Sequence, residues 1–494
     1  MTDHRSQLDG NVANSSNCRL TPGKPAATEG NAVDQAWQAS ISALADKGLP
    51  ECISLLRLLS CWGSDPVPLC LIHPEMVEAS ELSVLHPPLT GSRVEAALKG
   101  LLDKSLVSLV DVDKDGDVVQ CLQTPGAVLD GAAATVPGEQ RAGLIAAAAK
   151  TLRGAISEPN SRPQGTFYLV TLVPHAASLL KRVEETASAH AAVPVGVYLA
   201  KRLFESGDYQ AALLLGKAVG EAGNHWLGSS DPETLRAQHC VALSLFRLGQ
   251  FEESEALHRQ VLETRERVLG PEHPETLESR QDIHEPLGQL ERNEECLATL
   301  RESADIRSRL LGEHHRDTLH TRALLIEYLA VAGAVAEFNT VGPKVLAACE
   351  EHLGRDSFAT VTARHNYAYG LYRFGRWEQA EVEARRALAG RELFHGNDHA
   401  STLSAAVLLS WILGELGQVE EALSLGRRVV QGQEQTLGPE HPYLLRNRID
   451  LAEALAAAGL AAEARDLARQ NLPLCERLLD PADPVTVRTR DLAN

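Results

Sequence analysis

The chain has 494 residues, of which 44% are hydrophobic and only 4% aromatic, and its formal net charge is −19. This length is enough for two or three domains, and the scarcity of aromatic residues favours close-packed helices over sheets. The negative charge argues against nucleic acid or a membrane surface as a general partner, because both are negatively charged. The nine cysteines form no C-x-x-C pair, so we expect reduced thiols in a cytoplasmic protein.

The N-terminal part of the chain predicts a short tail, a small domain and a linker. Residues 1–31 are rich in Ser, Asn, Gly, Thr and Pro, a composition typical of disorder. Residues 32–157 predict a small domain of mixed helix and strand, with helices over 93–104 and about 138–156. Residues 158–190 are expected to form a linker helix that leads into the rest of the chain.

Two strand-like runs, 105–112 and 118–123, lie inside the small domain. They are joined by Asp113-Lys-Asp-Gly116, a sequence that favours a tight hairpin turn. The same acidic run resembles the start of a calcium loop, but Leu122 stands where such a loop needs its closing Glu. A charged hairpin turn is therefore the preferred interpretation, and a weak cation site is the alternative.

From about residue 191 to the C-terminus the sequence repeats every 42 residues without insertion. A five-residue loop signature, usually with Thr fourth and Leu or Val last, marks each copy. Its copies begin at Asp231, His273, His315, Ser357, His399, His441 and Asp483. A glycine in mid-repeat has the same period and occurs as Gly207, Gly249, Gly333, Gly375, Gly417 and Gly459. Such a fixed period indicates an array of one supersecondary unit.

Each marker has a physical role in a helical hairpin. The loop signature starts the first helix, where Pro is tolerated and the Thr hydroxyl is expected to cap free N–H groups. The mid-repeat glycine is expected to end that helix in a left-handed conformation. One hairpin cannot bury its apolar face alone, so neighbouring hairpins must stack on one another.

The third unit of the array departs from the pattern. Glu285-Pro286 falls inside its first helix, His284 stands where a small residue would pack, and Glu291 replaces the glycine. A proline inside a helix removes a hydrogen bond and kinks the helix. A decayed repeat and a functional kink that opens the groove are both compatible with these residues.

This pattern resembles the tetratricopeptide repeat, in the 42-residue form found in kinesin light chains, over residues 191–494. The resemblance implies an all-α fold, a right-handed α-solenoid of seven full hairpins and a truncated eighth. In that fold the first helices line a concave groove. The resemblance also implies that this groove binds a partner protein or peptide.

The helices and hairpin of residues 32–157 resemble the winged-helix segment of actinobacterial signal-transducing ATPases of the NB-ARC (STAND) type, in which a tetratricopeptide array follows. The bridge from Tyr168 to Leu180 resembles the linker of that family. The sequence lacks the phosphate loop Gly-x-x-x-x-Gly-Lys-Ser/Thr of those ATPases, so we expect no nucleotide cofactor and no ATP hydrolysis. The resemblance thus implies the C-terminal half of such a regulator without its ATPase core.

Helical spacing selects the side chains that should face the groove, at the first, fourth, fifth and eighth positions after the Leu of each signature. The polar candidates for partner binding are Arg236, His239, Gln281, Asp282, Glu285, His320, Glu327, His365, Asn366 and Tyr369. The recurrent loop histidines belong to separate hairpins, so we expect no metal site from them.

We expect a non-catalytic scaffold or regulatory adaptor, since no catalytic motif occurs in the sequence. An enzyme or small-molecule sensor built in the groove is the first alternative. A deep pocket that gathers three or more of the groove candidates would favour it. The second alternative is one piece of a split STAND-type ATPase whose nucleotide-binding core is a separate subunit.

Overall fold

The computed structural model describes residues 27–80, 82, 85–114, 117–157 and 166–494. Most of the segment expected to be disordered, 1–31, lies outside these ranges, and the first helix begins at Ala27. The tip of the expected hairpin turn, residues 115–116, also lies outside the described residues, and the rest of the acidic run considered as a calcium loop belongs to two β-strands, Ser108–Lys114 and Asp117–Gln123.

The N-terminal region consists of α-helices of six to twenty residues and a small sheet. Its elements in chain order are α1 (Ala27–Asp46), α2 (Cys52–Ser60), β1 (Val67–Pro68), a 3₁₀ helix (Leu69–Ile72), α3 (Pro74–Ala79), α4 (Gly91–Asp103), β2 (Ser108–Lys114), β3 (Asp117–Gln123), α5 (Gly126–Ala134), α6 (Gly138–Ser157) and α7 (Thr166–Lys181). The helices expected over 93–104 and 138–156 correspond to α4 and α6.

The three strands form an antiparallel sheet in the order β1-β3-β2. Strands β2 and β3 pair as a hairpin, with Leu109 opposite Leu122. Strand β2 begins at Ser108, later than the sequence predicted, because Ser105 adopts a left-handed conformation with φ 53° in the turn after α4. Leu122 is fully buried and anchors the sheet in the core of this region.

The rest of the described chain is a succession of hairpins, each made of a first and a second helix. The pairs are α8 (Thr186–Glu205) with α9 (Tyr209–Trp226), α10 (Pro232–Arg247) with α11 (Phe251–Leu269), α12 (Pro274–Asp282) and α13 (His284–Gln289) with α14 (Asn293–Leu311), α15 (Arg316–Val331) with α16 (Val335–Leu353), α17 (Phe358–Arg373) with α18 (Trp377–His395), α19 (Ala400–Glu415) with α20 (Val419–Thr436), and α21 (Pro442–Ala457) with α22 (Ala461–Leu478). A last helix, α23 (Pro484–Ala493), begins an eighth unit. This all-α repeat fold is the one that the 42-residue period predicts.

The first helices are capped by the residue that opens each loop signature. His273 Nδ1 accepts a hydrogen bond from Glu275 N at 3.2 Å, and Asp231 has the same role in α10. The expectation that the signature Thr caps the helix was wrong. Thr234 and its counterparts in the other repeats are fully buried, so they pack between helices and leave the capping to the loop residue.

First helices contact the first helices of the next hairpin, as α8 does with α10, α15 with α17, and α21 with α23. They therefore form the inner side of the superhelix, and the second helices form the outer side. The mid-repeat glycines have φ values between 67° and 91°, as a left-handed helix end requires. Glu291 takes the same conformation, with φ 58°, although it has a side chain.

The first helix of the third hairpin is broken, as its proline predicted. Helix α12 ends at Asp282 and α13 begins at His284. Pro286 has no N–H to donate to the carbonyl of Asp282, so the helical ladder is interrupted at this point. Tyr328 donates its hydroxyl to His284 O at 3.0 Å, which satisfies a carbonyl at the break.

The N-terminal region and the first hairpins share one hydrophobic core. This core runs from Trp37 in α1 to Cys240 in α10. Arg153 in α6 stacks over the ring of Tyr198 in α8, 3.3 Å from its centroid. Among the described residues, no helix is both long enough and apolar enough to span a bilayer.

Candidate functional site

The side chains expected on the inner face differ in how far they reach solvent. Arg236 and Glu278, at the first position, are exposed, whereas Glu285, Glu327 and Tyr369, at the eighth position, are partly exposed. The fourth and fifth positions are mostly packed between helices. The inner surface is therefore formed chiefly by the first and eighth positions of each unit.

Two of the expected groove residues, Gln281 and Asn366, are buried and hydrogen-bonded between hairpins. Gln281 Oε1 accepts from Thr321 Oγ1 at 2.8 Å and also from Arg307. Asn366 Nδ2 donates to Ala323 O at 2.9 Å. These two amides hold neighbouring first helices together.

Two further candidates, Arg236 and Tyr369, form hydrogen bonds within the chain, and a third, His365, has a lowered pKa. Arg236 Nε donates to Glu275 Oε1 at 2.9 Å. The hydroxyl of Tyr369 accepts from Arg373 Nη1 at 3.2 Å. Burial lowers the pKa of His365 well below its ordinary value, so this imidazole is neutral at pH 7.

One turn of the superhelix contacts the next, and we call this contact the seam. His441 Nε2, before α21, lies 2.9 Å from Arg247 O at the end of α10, 194 residues earlier. The rings of Phe251 and Tyr443 pack beside it with centroids 5.9 Å apart. A cleft of about 670 Å³ lies along the seam, between the turn 206–210 and the loops before α19 and α21. The inner face is therefore enclosed on this side.

Two arginines and two glutamates place opposite charges in the interior. Arg247 Nη2 donates to Glu285 Oε1 at 2.8 Å, and their side chains are 32% and 25% exposed. Burial raises the pKa of Glu327 and lowers that of Arg391 to about 10, an effect that the attraction between these two charges opposes. Arg391 still carries its proton at neutral pH, so the interior offers charges of both signs.

A second group of polar side chains surrounds Asp282. His239 Nε2 lies 3.2 Å from Asp282 Oδ2. Glu278 stands one turn earlier on α12, and one ligand-type atom from each of these three residues lies within 4.8 Å of the others. The ring of His258, on α11, packs against the ring of His239 with centroids 5.4 Å apart. We call these four residues the Asp282 cluster.

The environment of the Asp282 cluster shifts the pKa values of its members. Burial lowers the pKa of His258 to about 3, and it lowers the pKa of the nearby His320 to about 4. Burial opposes the charge of Asp282, but the contact with His239 outweighs this effect and lowers the pKa of Asp282 below its ordinary value. At neutral pH the ionised carboxylate of Asp282 thus lies near the neutral imidazoles of His258 and His320.

Sequence reasoning did not select Arg247, His258, Arg391 or Tyr443. Two of them, His258 and Arg391, lie on second helices, whereas the tetratricopeptide resemblance placed only the first helices along the groove. A signal for His258 was nevertheless present in the sequence, because the other repeats have only small or apolar residues at its register position. These residues are Gly216, Leu300, Gly342, Ala384, Gly426 and Ala468.

Family models of the tetratricopeptide repeat match residues 234–275, 359–435 and 412–477. Together with the stacked hairpins, these matches show that helices α8 to α23 form an α-solenoid of tetratricopeptide repeats. The matched ranges leave out residues 276–358, which include most of the third hairpin.

Solved structures resemble the chain at low sequence identity. Nearly identical tetratricopeptide-like repeats of a kinesin-light-chain-type protein from Podosopora anserina are 23% identical, cover 40% of this chain and 94% of that chain, and give a TM-score of 0.35. Aspartyl phosphate phosphatase F from Bacillus subtilis is 12% identical, with 85% of this chain and 97% of that chain covered and a TM-score of 0.45. A STAND protein with a tetratricopeptide repeat sensor from Pyrococcus horikoshii is 13% identical, with 83% of this chain and 60% of that chain covered and a TM-score of 0.35. No curated protein matches the chain in sequence.

Proposed function

We propose that this chain is a non-catalytic regulatory adaptor of the cytoplasm, which binds a segment of a partner protein inside the superhelix. The observation that carries the proposal is the enclosed inner face with its charges of both signs. Arg247 and Glu285 are paired but partly exposed, so a partner can compete for their hydrogen bonds. Tyr369 adds an aromatic side chain, a residue type enriched where binding energy is concentrated.

The charge of the whole chain favours a basic partner segment. A net charge of −19 attracts positively charged polypeptides over long range and repels acidic ones. Glu285 and Glu327 offer carboxylates to such a segment in the interior, where partial burial strengthens an ion pair relative to the open surface. We therefore expect an extended, basic segment to bind in preference to an acidic one.

The N-terminal region adds a second part to the proposal. We propose that residues 32–157 form a winged-helix-like domain and residues 158–190 its linker, as in STAND-type regulators. The helices α2 to α4 followed by the β2–β3 hairpin support this assignment. The partner would then be either a target protein or a separate ATPase subunit.

A small-molecule sensor is the second candidate function. It is favoured by one observation, the proximity of the groove candidates His239, Asp282 and His320. The first two side chains lie 3.2 Å apart, and His320 interacts electrostatically with Asp282. A small molecule that co-purifies with the wild-type chain but not with the Asp282→Asn variant would support the sensor over the adaptor.

Site-specific photo-crosslinking tests the adaptor proposal. A crosslinking amino acid placed at Tyr369, on the inner side, should trap one partner in the native host. The same amino acid at Val382, 49% exposed on the outer helix α18, is the matched control and should trap none. Mass spectrometry identifies the partner, and equal capture at both positions would contradict binding on the inner face.

The captured partner then allows a direct measurement of the proposed contacts. Glu285→Ala and Glu327→Ala should each weaken its binding by tenfold or more, because each removes a partly buried carboxylate that a basic segment would pair with. Arg427→Ala removes an exposed outer ion pair with Glu463 and should leave the affinity unchanged. Unchanged affinity in all three variants would place the binding surface elsewhere.

A further inference from the structure

The ligand-type atoms of three side chains converge on one point of the inner face. One atom each from His239, Glu278 and Asp282 lies within 4.8 Å of the other two. Two ligands of one Zn²⁺ ion, each about 2 Å from the metal in tetrahedral geometry, are about 3.3 Å apart. Rotamer adjustments of about an ångström therefore suffice to place all three around one ion. Glu278 and Asp282 are four residues apart on α12, so they project from one side of that helix.

His258 is a second and independent observation at this point. Its side chain is 0% exposed, and neither of its ring nitrogens has a hydrogen-bond partner among the described residues. Buried polar groups in proteins are nearly always paired, because an unpaired one is costly. Small or apolar residues suffice at this register position in the other repeats, so stacking of the hairpins does not require an imidazole there.

The placement of His258 relative to His239 fits a shared ligand. The two ring centroids lie 5.4 Å apart. Two imidazoles bound to one tetrahedral ion at about 2 Å have ring centroids roughly 5 Å apart. His258 is outside the set of atoms within 4.8 Å of one another, so we place it as the adjacent fourth ligand, which a change in ring orientation would bring in.

We propose that the Asp282 cluster binds one divalent transition-metal ion. Imidazole nitrogens together with carboxylate oxygens are typical ligands of Zn²⁺, and all-oxygen sites are typical of Mg²⁺ and Ca²⁺. His239 and His258 are buried, whereas Glu278 is exposed, so the site opens toward the interior of the superhelix. An ion held there presents its open side to whatever the interior binds.

The broken third hairpin contributes to this site. Asp282 is the last residue of α12, and the break that follows removes the continuous helix that the other units have. The corresponding residues in the flanking units, Cys240 and Leu324, are buried in unbroken helices. The departures of this unit thus include one of the proposed ligands and lie directly beside the others.

Isothermal titration of the full chain with ZnCl₂, after chelation and dialysis, tests the proposal. We expect one high-affinity Zn²⁺ per chain and at least tenfold weaker binding of Mg²⁺. Glu278→Gln changes an exposed side chain and should fold normally, yet it should weaken Zn²⁺ binding at least tenfold. His258→Leu, with the leucine that position 300 has naturally, should also weaken it.

A surface histidine pair provides the matched control. His314 and His352 stack with ring centroids 4.1 Å apart, away from the Asp282 cluster in sequence. His314→Gln should leave the Zn²⁺ affinity unchanged. Replacement of Zn²⁺ by Co²⁺ should give the visible absorption of a tetrahedral site, and Glu278→Gln should alter that spectrum. Two results would overturn the proposal. One is the absence of a bound Zn²⁺ equivalent in the wild-type chain, and the other is wild-type Zn²⁺ affinity in both Glu278→Gln and His258→Leu.

Discussion

Histidine is the capping residue of four first helices, at positions 273, 315, 399 and 441. Its Nδ1 must carry a lone pair to accept the backbone N–H, so this cap exists only while the ring is neutral. Asp231 and Asp483 cap their helices with a carboxylate, which keeps its acceptor down to a lower pH. Helices that share one fold therefore differ in how they respond to acid.

His399 allows this difference to be measured. Burial lowers its pKa to about 4 in the folded chain, below the usual histidine value of about 6.5. Between these pH values the unfolded chain binds the proton and the folded chain does not, so the stability due to the neutral cap is lost as the pH falls from about 6.5 to 4. His399→Asp should reduce this loss. Urea unfolding at pH 7 and pH 5 measures the free energy of unfolding that is lost on acidification. The same loss in His399→Asp as in the wild-type chain would contradict the prediction.

Glu291 has a strained backbone conformation that glycine would relieve. Its φ of 58° costs a non-glycine residue roughly 1–2 kcal/mol. Glu291→Gly should therefore raise the free energy of unfolding by about 1 kcal/mol, after the larger conformational freedom of the unfolded chain is subtracted. Glu294→Gly, in the first turn of α14, is the control and should lower it by about 0.5–1 kcal/mol. Urea denaturation distinguishes the two, and a loss of stability in both variants would contradict the prediction.

The second helices are joined to one another by a repeated ion pair on the outer side. Each pair links an arginine to a glutamate 36 residues further along, and the pairs are Arg259–Glu295, Arg301–Glu337, Arg385–Glu421 and Arg427–Glu463. Pro343 interrupts the series where the fourth hairpin would supply its arginine. Each exposed pair contributes at most about 1 kcal/mol, so these pairs add little to the stability of the array.

The break in the third hairpin supports a prediction that separates decay from function. Pro286→Ala should join α12 to α13 and raise the free energy of unfolding by about 1–3 kcal/mol, because the missing hydrogen bond is restored. If the kink is functional, continuous helix at Asp282 should also weaken Zn²⁺ binding by the Asp282 cluster. Greater stability with unchanged Zn²⁺ affinity would identify a decayed repeat, and lower stability would contradict the prediction itself.

The hairpins could be predicted from the sequence because their determinants are local. Gly249 ends the first helix of one hairpin and His273 caps the first helix of the next, each through neighbouring residues, and the same chemistry recurs at a fixed distance along the chain. The break at Pro286 was equally local. The capping role given to Thr234 was wrong because the side chain points into the packing between helices, which only the stacked neighbours define.

The candidate site was less predictable because it depends on contacts between units. His258 lies on an outer helix, and its position beside His239 follows from how deeply that helix packs against the inner ones. The seam depends on the small rotation between successive hairpins, accumulated over the 194 residues between Arg247 and His441. The 42-residue period predicts the length and the helices of one hairpin, but it does not predict the rotation between one hairpin and the next.

At the scale of the whole molecule, the seam joins hairpins that are far apart in the sequence, and we expect it to help set the shape of the superhelix. His441 both caps α21 and reaches Arg247 O, whereas His273 only caps α12. His441→Ala and His273→Ala should each lower the free energy of unfolding by about 1 kcal/mol through the lost cap. Only His441→Ala should increase the radius of gyration measured by small-angle X-ray scattering. An equal radius in both variants would show that the seam does not depend on His441.

The seam also affects how fast a polypeptide bound inside the superhelix can dissociate. A polypeptide held inside adjoining turns can leave sideways only when the turns separate at His441 and Tyr443, or lengthwise by sliding its whole length past the interior side chains. Its dwell time is then set by how often the turns part, and the contacts it makes have less influence on that time. A partner with bulky folded domains at both ends would dissociate slowly, so the complex would persist long after the concentration of free partner falls.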